Sequence, residues 1–264
     1  VIIVAAPEGA RQAARAARAR GLRVGLIPTM GALHEGHLSL VRRARFECGY
    51  TAASVFVNPA QFGPGEDLSR YPRDLDRDAG LLRNEGVDLL FAPEAGSMYG
   101  PSHATWVDVA GLGDGLCGPH RPGHFRGVAT IVAKLFNLLR PDAAYFGAKD
   151  AQQAAIIRRM AADLDFGLDV VVCPTVRAPD GLALSSRNFH LTAAERTAAP
   201  ALWAALREAA AAVTGGGVRS GAAVRSLVVA RLAATPFKIQ YVEVVDAESL
   251  RPIERLAGEI LVAV

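Results

Sequence analysis

Residues 23–37 read Arg-Val-Gly-Leu-Ile-Pro-Thr-Met-Gly-Ala-Leu-His-Glu-Gly-His, a short apolar run that meets Pro28 and closes on His34-x-Gly36-His37. Val24 to Ile27 suit a parallel strand buried on both faces. Pro28 and Gly31 are expected to stop it, and Leu38-Ser39-Leu40-Val41 to start a helix. His34 and His37 then lie near a helix N-terminus, where free backbone N–H groups and the positive end of the helix dipole favour phosphate. Gly36 lets a flat base approach the backbone, and two imidazoles three residues apart can donate to one phosphoryl group. The stretch therefore predicts a strand, turn and helix that bind a nucleotide. Taken alone, the histidine pair reads equally well as a helix cap or as half of a metal site. It lacks the five-residue frame of the zinc metalloprotease motif, and His103, His120, His124 and His190 form no tight ligand spacing with it, so no protein-held metal is expected.

Hydrophobic residues make up 51% of the 264, enough for a large core in one big or two modest domains. The net charge of +3 is mild, and no dense Lys/Arg block is interleaved with aromatics, so nucleic acid is not an expected partner and a small anion is. Only three of the 29 basic residues are lysines, so Lys149 stands out against an arginine-rich background. Cys48, Cys117 and Cys173 are odd in number and widely spaced, which fits a reducing cytoplasm better than a disulfide framework. No apolar run approaches the roughly 18 to 20 residues that span a bilayer, so no membrane partner is expected. Arg11 to Arg20 could mimic an organelle transit segment, but strand-like runs on both sides favour an exposed helix.

Apolar strands alternate with helical patterns as far as residue 173, the signature of a parallel α/β sheet. Strands are expected at Ile2 to Val4, Val24 to Ile27, Ala52 to Val57, Val87 to Phe91, Ala143 to Phe146 and Leu168 to Val172. Between 127 and 139, Val128, Ile131, Val132, Leu135, Phe136 and Leu139 recur at helical spacing before Pro141. From Pro174 the pattern changes to a Pro/Gly-punctuated loop, Ala-rich helices at about 192–213 and 219–233, and strand-like Gln240 to Val245 and Glu259 to Val264. This predicts a Rossmann-like domain over 1–173 and a smaller α+β domain over 174–264.

Ligands of such sheets sit beyond the carboxyl ends of the strands, so Pro28 to His37, Asn58 to Arg73 and Gly147 to Asp150 are expected to share one crevice. The loop from Asn58 to Arg73 is long for a mere connection, and Asn58 and Gln61 suit recognition of substrate hydroxyls, although Asn before Pro also starts ordinary turns. Lys149 at the turn after 143–146 can reach phosphate as a point charge, Asp150 can cap the following helix, and Gln153 can face the same crevice. Ser185-Ser186-Arg187 could clamp a polyphosphate tail; by itself it is as ordinary as any solvated loop.

The ordered set Pro-Thr-Met-Gly-Ala-Leu-His-Glu-Gly-His, Phe-Val-Asn-Pro-x-Gln-Phe, Tyr-Pro-Arg, Gly-His-Phe-Arg-Gly-Val, Phe-Gly-x-Lys-Asp-x-Gln-Gln, Pro-Thr-Val-Arg and Asp-Gly-Leu-Ala-Leu-Ser-Ser-Arg-Asn closely resembles the pantothenate synthetase (pantoate–β-alanine ligase) family over nearly the whole chain. That family belongs to the HIGH-motif nucleotidylyl transferases. The resemblance implies a Rossmann-like ATP- and pantoate-binding domain, a C-terminal lid domain, a cytoplasmic homodimer, and ATP with Mg²⁺ as the nucleotide substrate. It implies that Met30, Gly31, Ala32, Leu33, His34, Glu35, Gly36 and His37 contact ATP, with His37 in the role of proton donor. Lys149 would neutralise the α-phosphate, and Gly147, Ala148, Asp150 and Val176 would line the nucleotide. Leu184, Ser185, Ser186 and Arg187 correspond to the mobile KMSKS-type element, and Gln61 and Gln153, with Asn58 beside them, to the pantoate site. On chemical grounds His37 is better suited to stabilising phosphoryl charge, because a carboxylate nucleophile needs no base.

Three positions depart from the family pattern: Ala148 stands for the usual Glu, Ala60 for Met, and Ala151 for an aromatic residue. None removes a group assigned to bond making, so looser substrate fit is expected rather than lost activity. Family members typically carry a further tail beyond the position of Val264. A related nucleotidylyl transferase with a different acid acceptor would keep the histidines and the serine clamp but lack the Gln61 and Gln153 pair.

Overall fold

The computed structural model describes residues 1–264. In chain order the first part runs β1 (Ile2–Val4), α1 (Pro7–Ala19), β2 (Val24–Thr29), α2 (Glu35–Glu47), β3 (Tyr50–Val55), α3 (Leu75–Asn84), β4 (Leu89–Phe91), α4 (Ala95–Met98), α5 (His124–Leu139), β5 (Ala143–Gly147), α6 (Ala151–Asp163) and β6 (Asp169–Cys173). The six strands form one sheet in the order β1-β4-β3-β2-β5-β6, and every pair is parallel. From β2 the chain adds β3 and β4 on one side and β5 and β6 on the other. The order therefore reverses between β2 and β5, the position beyond whose carboxyl ends ligands of such sheets bind.

β2 runs through Pro28 to Thr29, where the sequence predicted a stop at the proline. The ladder explains why the proline is tolerated. Tyr50 N donates to Arg23 O and Phe56 N to Thr29 O, so odd-numbered residues bond to β3, while Asp142 N donates to Val24 O on the β5 side. Pairing with β5 ends at Leu26, so the N–H that Pro28 lacks had no partner to lose.

α5 is hydrophobic almost all round and nearly every residue in it is buried. It begins at His124, three residues before the apolar pattern, after Gly123 in the left-handed region at φ 80°. Arg140, also left-handed at φ 43°, ends it ahead of Pro141, and the Arg18 guanidinium of α1 donates to the terminal carbonyls of Leu139 and Arg140. Ile27, Leu33, Val41, Ala53, Leu82, Leu90 and Tyr145 form a core between the sheet and α2 and α3.

The second part holds α7 (Ala193–Ala198), α8 (Ala201–Thr214), α9 (Gly221–Leu232) and an antiparallel pair, β7 (Glu243–Asp246) with β8 (Ile260–Ala263). The single helix expected over about 192–213 is two helices. Pro200 cannot donate to Arg196 O and instead starts α8, while Thr192 and Glu195 cap α7 reciprocally. Ala205, Ala209, Val224, Val228 and Leu232 pack with Val242 and Val244.

The chain divides into two compact units, Val1–Val109 with Arg121–Val176, and Ala110–His120 with Arg177–Val264. The junction thus lies at 176/177, and the second unit includes an excursion, 110–120, that a cut at 173/174 does not. His120 stacks on Tyr241 within that unit, with ring centroids 6.0 Å apart. No helix is long and apolar enough to cross a membrane.

Candidate active site

β2 delivers the chain into Met30, Gly31 and Ala32, the last two left-handed at φ 85° and 51°. Two such residues in succession cost backbone energy unless the surroundings fix them. Asp78 of α3, 1% exposed, does so by accepting Ala32 N at 2.8 Å and Leu33 N at 2.9 Å. Arg77 adds a guanidinium bond to Leu33 O at 3.1 Å. A Cβ on Gly31 would lie 2.9 Å from Asp78 Oδ2, so glycine is required there for space as well as for φ. Burial pushes the Asp78 carboxyl up, against the pull of the two N–H bonds. Asp78→Asn offers one acceptor oxygen where two are used and turns an NH₂ towards a backbone N–H. Its expected cost is about 1–3 kcal/mol by urea unfolding, with weaker ATP binding.

α2 begins at Glu35, earlier than the predicted Leu38, because His34 serves as its N-cap. His34 Nδ1 accepts Gly36 N at 3.1 Å, and His37 Nδ1 accepts His34 N at 3.3 Å. Since both Nδ1 atoms accept from backbone N–H groups, these bonds assign both rings as neutral Nε2–H tautomers. Their centroids are 4.1 Å apart and their planes 35° apart. Burial, then the neighbouring His34, pushes His37 down to about 3; burial, then the Lys149 charge, lowers His34. The cap reading and the phosphate reading are therefore compatible, since capping through Nδ1 leaves two Nε2–H donors.

Lys149 stands in the turn Ala148–Asp150 that follows β5, on the other side of the order reversal from the histidines. Its ammonium donates to Asp150 Oδ1 at 3.3 Å. The two charges act on both imidazoles in opposite directions, which puts all four groups in one neighbourhood. Asp150 occupies the N-cap position of α6 without bonding the helix, contrary to the expected cap. Its φ and ψ of −101° and 56° turn it out of cap geometry, and its carboxylate is taken by Lys149 instead. Gln153, half-buried, is the third residue of α6.

The loop from Asn58 contains two short 3₁₀ turns, Pro59–Gln61 and Asp67–Ser69. Gln61 Nε2 donates to Met30 Sδ at 2.9 Å, joining this loop to the one before the histidines. Asn58 is 1% exposed, and its amide is consumed internally. Nδ2 donates to Gln61 Oε1 and to Gly127 O, both at 3.1 Å, and Oδ1 accepts Ala60 N at 3.3 Å. Asn58 therefore orients Gln61. A second brace comes from α5: His124 Nδ1 donates to Gln61 O at 2.8 Å, and His124 Nε2 accepts Arg121 Nη1 at 3.1 Å. Arg121 in turn forks onto Glu66 at 2.9 and 2.7 Å. A Cβ on Gly127 would sit 2.2 Å from Ala60 O. Gly127→Ala must push the Gln61 turn away, with an expected loss of about 1–3 kcal/mol and weaker binding of the acid substrate in titration calorimetry.

Val176 ends the first unit, whereas Leu184, Ser185, Ser186 and Arg187 belong to the second. There Ser185 Oγ accepts Arg187 N at 3.2 Å and caps a short 3₁₀ turn, Ser186–His190. Asp78, Arg121 and His124, which brace these loops, are the positions that residue-by-residue sequence reasoning missed. Asp78 follows Asp74 and Asp76 in a first helical turn, where acids are ordinary, and His124 entered only as a histidine without ligand spacing and inside a longer motif.

A doubly wound parallel sheet that carries a histidine pair after one strand and a lysine after the next, on either side of its order reversal, defines a Rossmann-like, nucleotide-handling class of protein. The chain belongs to the pantoate–β-alanine ligase family, whose model matches residues 2–264. It is 52% identical to the pantothenate synthetase of Moorella thermoacetica over 94% of this chain and 88% of that protein. The crystal structure of pantothenate synthetase from Thermus thermophilus superposes with a TM-score of 0.90 at 45% identity, covering 100% of this chain and 98% of that one. A second is the pantoate–β-alanine ligase of Francisella tularensis, complexed with β-γ ATP and β-alanine, at TM-score 0.80 and 30% identity, with 97% of each chain covered.

Proposed function

We propose that the chain condenses (R)-pantoate with β-alanine at the expense of ATP, releasing pantothenate, AMP and diphosphate through pantoyl adenylate. The observation that carries this is the His34–His37 pair, each Nδ1 accepting a backbone N–H, on the other side of the order reversal of the sheet from Lys149. In the first step a pantoate carboxylate oxygen bonds to the α-phosphorus and the bond from that phosphorus to the β-phosphate oxygen breaks. The carboxylate is already an anion, so no base is needed; what must be stabilised is the charge on the phosphoryl oxygens and on the leaving group. His37 and His34 donate to phosphoryl oxygens, Lys149 neutralises the α-phosphate, and Ser185, Ser186 and Arg187 hold the departing diphosphate. Met30 to Gly36, Gly147, Ala148, Asp150, Val176 and Leu184 line the nucleotide. The neutral tautomer of His37 favours charge stabilisation over proton donation.

In the second step the β-alanine amine attacks the acyl carbon, AMP leaves with the bridging oxygen, and the amine loses its proton. Gln61 and Gln153 hold pantoate, with Gln61 also beside β-alanine and Asn58 keeping Gln61 in place. A mixed anhydride hydrolyses if water reaches it, which suits the second unit to the role of lid. No group of three or more His, Cys, Asp or Glu is arranged to hold a metal. We assign Mg²⁺ to the phosphates of ATP, where it supplies countercharge. By resemblance the enzyme is a cytoplasmic homodimer, which light scattering of the purified protein tests.

The experiment is pantoate-dependent exchange of pyrophosphate into ATP, followed by β-alanine-dependent release of AMP. Both are expected. Exchange with another carboxylic acid but not with pantoate would instead indicate a related nucleotidylyl transferase with a different acceptor, and no exchange with any acid would overturn the assignment.

A further inference from the structure

The segment that carries Ser185-Ser186-Arg187 leaves a tight hairpin within the second unit. Arg177 and Ala183 bridge as an antiparallel pair, Ala178 N donates to Leu182 O at 2.8 Å, and Gly181 N donates to Ala178 O at 2.8 Å. Only Leu184 separates the hairpin from Ser185, so a tilt of the one moves the other. Hairpins of this size are not rigid on their own. This one is held from α7 and α8: Arg196 Nη1 bonds Asp180 Oδ2 at 2.6 Å, and the Arg177 guanidinium lies 3.8 Å above the centre of the Trp203 ring. The same ring abuts the opposite leg. Gly181, at φ 96°, sits so close that a Cβ there would be 2.3 Å from Trp203 Cδ1. Arg177 Nη1 closes the circuit by donating to Gly181 O at 3.2 Å. One indole therefore touches both legs of the hairpin, and no group assigned to the chemistry needs it for that purpose.

We propose that Trp203, stacked under Arg177 and pressed against Gly181, is a positioning residue that fixes the root from which Ser185-Ser186-Arg187 meets the leaving diphosphate. This rests on the reading of that triplet as the diphosphate clamp. The consequence is selective. Trp203 governs formation and reversal of the adenylate, where diphosphate is present, and leaves aminolysis of the adenylate untouched.

The test compares Trp203→Leu, Trp203→Phe and Arg177→Met in two assays: pantoate-dependent pyrophosphate exchange, and β-alanine-dependent AMP release from supplied pantoyl adenylate. Trp203→Leu and Arg177→Met are expected to slow exchange at least about tenfold with a raised KM for pyrophosphate, since small misplacements of a positioning group have effects of that size or more. Aminolysis should stay within about twofold and Trp203→Phe should restore most of the exchange, because a flat ring still supports Arg177. Equal loss in both assays, or unchanged exchange in both Trp203→Leu and Arg177→Met, overturns the proposal. Should Trp203→Leu fail to fold, Arg177→Met carries the same comparison from the other side of the stack. Arg187→Ala distinguishes the clamp from its support. Normal exchange in that variant removes the clamp reading and the proposal with it, whereas slowed exchange there with normal exchange in Trp203→Leu and Arg177→Met removes the positioning role alone.

Discussion

Lys149→Ala is expected to slow pantoyl-adenylate formation by about two to three orders of magnitude in rapid-quench measurements, with the thermal unfolding midpoint unchanged. The side chain is 40% exposed and its ion pair is with the adjacent Asp150, so its removal costs the fold little. Its value lies in where it stands, across the reversal point from the two Nε2–H donors. In the proposed first step a cation there would meet the charge that grows on the α-phosphate as the carboxylate attacks. Lys149→Arg is expected to recover only part of the rate, because a planar fork does not present charge as a compact ammonium does. Near-normal adenylate formation in Lys149→Ala would refute the role.

Removal of the inner imidazole is expected to have an effect of similar size. His37→Ala deletes a donor to the phosphoryl group and also the acceptor for His34 N, so adenylate formation should fall about 10²–10³-fold. His37→Gln, which can keep an N–H in place of Nε2–H, should retain more of it. The pH dependence of stability gives an independent check on the neutral state of the ring. Burial first, then the neighbouring His34, pushes folded His37 down to about 3 from the ordinary 6.5. Between those limits the unfolded chain binds a proton that the folded chain refuses, so this residue's contribution is intact above pH 6.5 and is lost as the pH falls towards 3. The denaturation midpoint of the wild type should therefore drop more steeply than that of His37→Gln over this range. Parallel curves would mean that folded His37 takes up its proton as readily as it does in the unfolded chain.

Much of this architecture could be read from the chain. The runs that became β1, β2, β5 and β6 are apolar, short and bounded by turn residues, and α5 announces itself by the spacing from Val128 to Leu139. The meeting of the loops after β2 and β3 followed from their place beyond the strand ends, and the Gln61–Met30 bond makes it. What escaped the sequence depends on partners distant along the chain. Pro28 looked like a strand end because nothing local reveals that its side of β2 has already lost β5. Pro200 looked compatible with one long Ala-rich helix because the kink it forces is resolved by a new start at Ala201. Asp78 and His124 hold loops through backbone atoms of Ala32, Leu33 and Gln61, and a backbone partner leaves no mark on composition. The neutral state of the two imidazoles likewise rests on which N–H groups face Nδ1, a fact of three dimensions only.

The proposed chemistry turns on attack by a carboxylate at the α-phosphorus in a site built for charge stabilisation. Pantoate labelled with ¹⁸O in its carboxylate, turned over with ATP and β-alanine, tests this most directly by mass spectrometry of the nucleotide product. One labelled oxygen should appear in AMP, carried there as the bridging atom of the adenylate. Unlabelled AMP, or label found in orthophosphate alongside ADP, would contradict it.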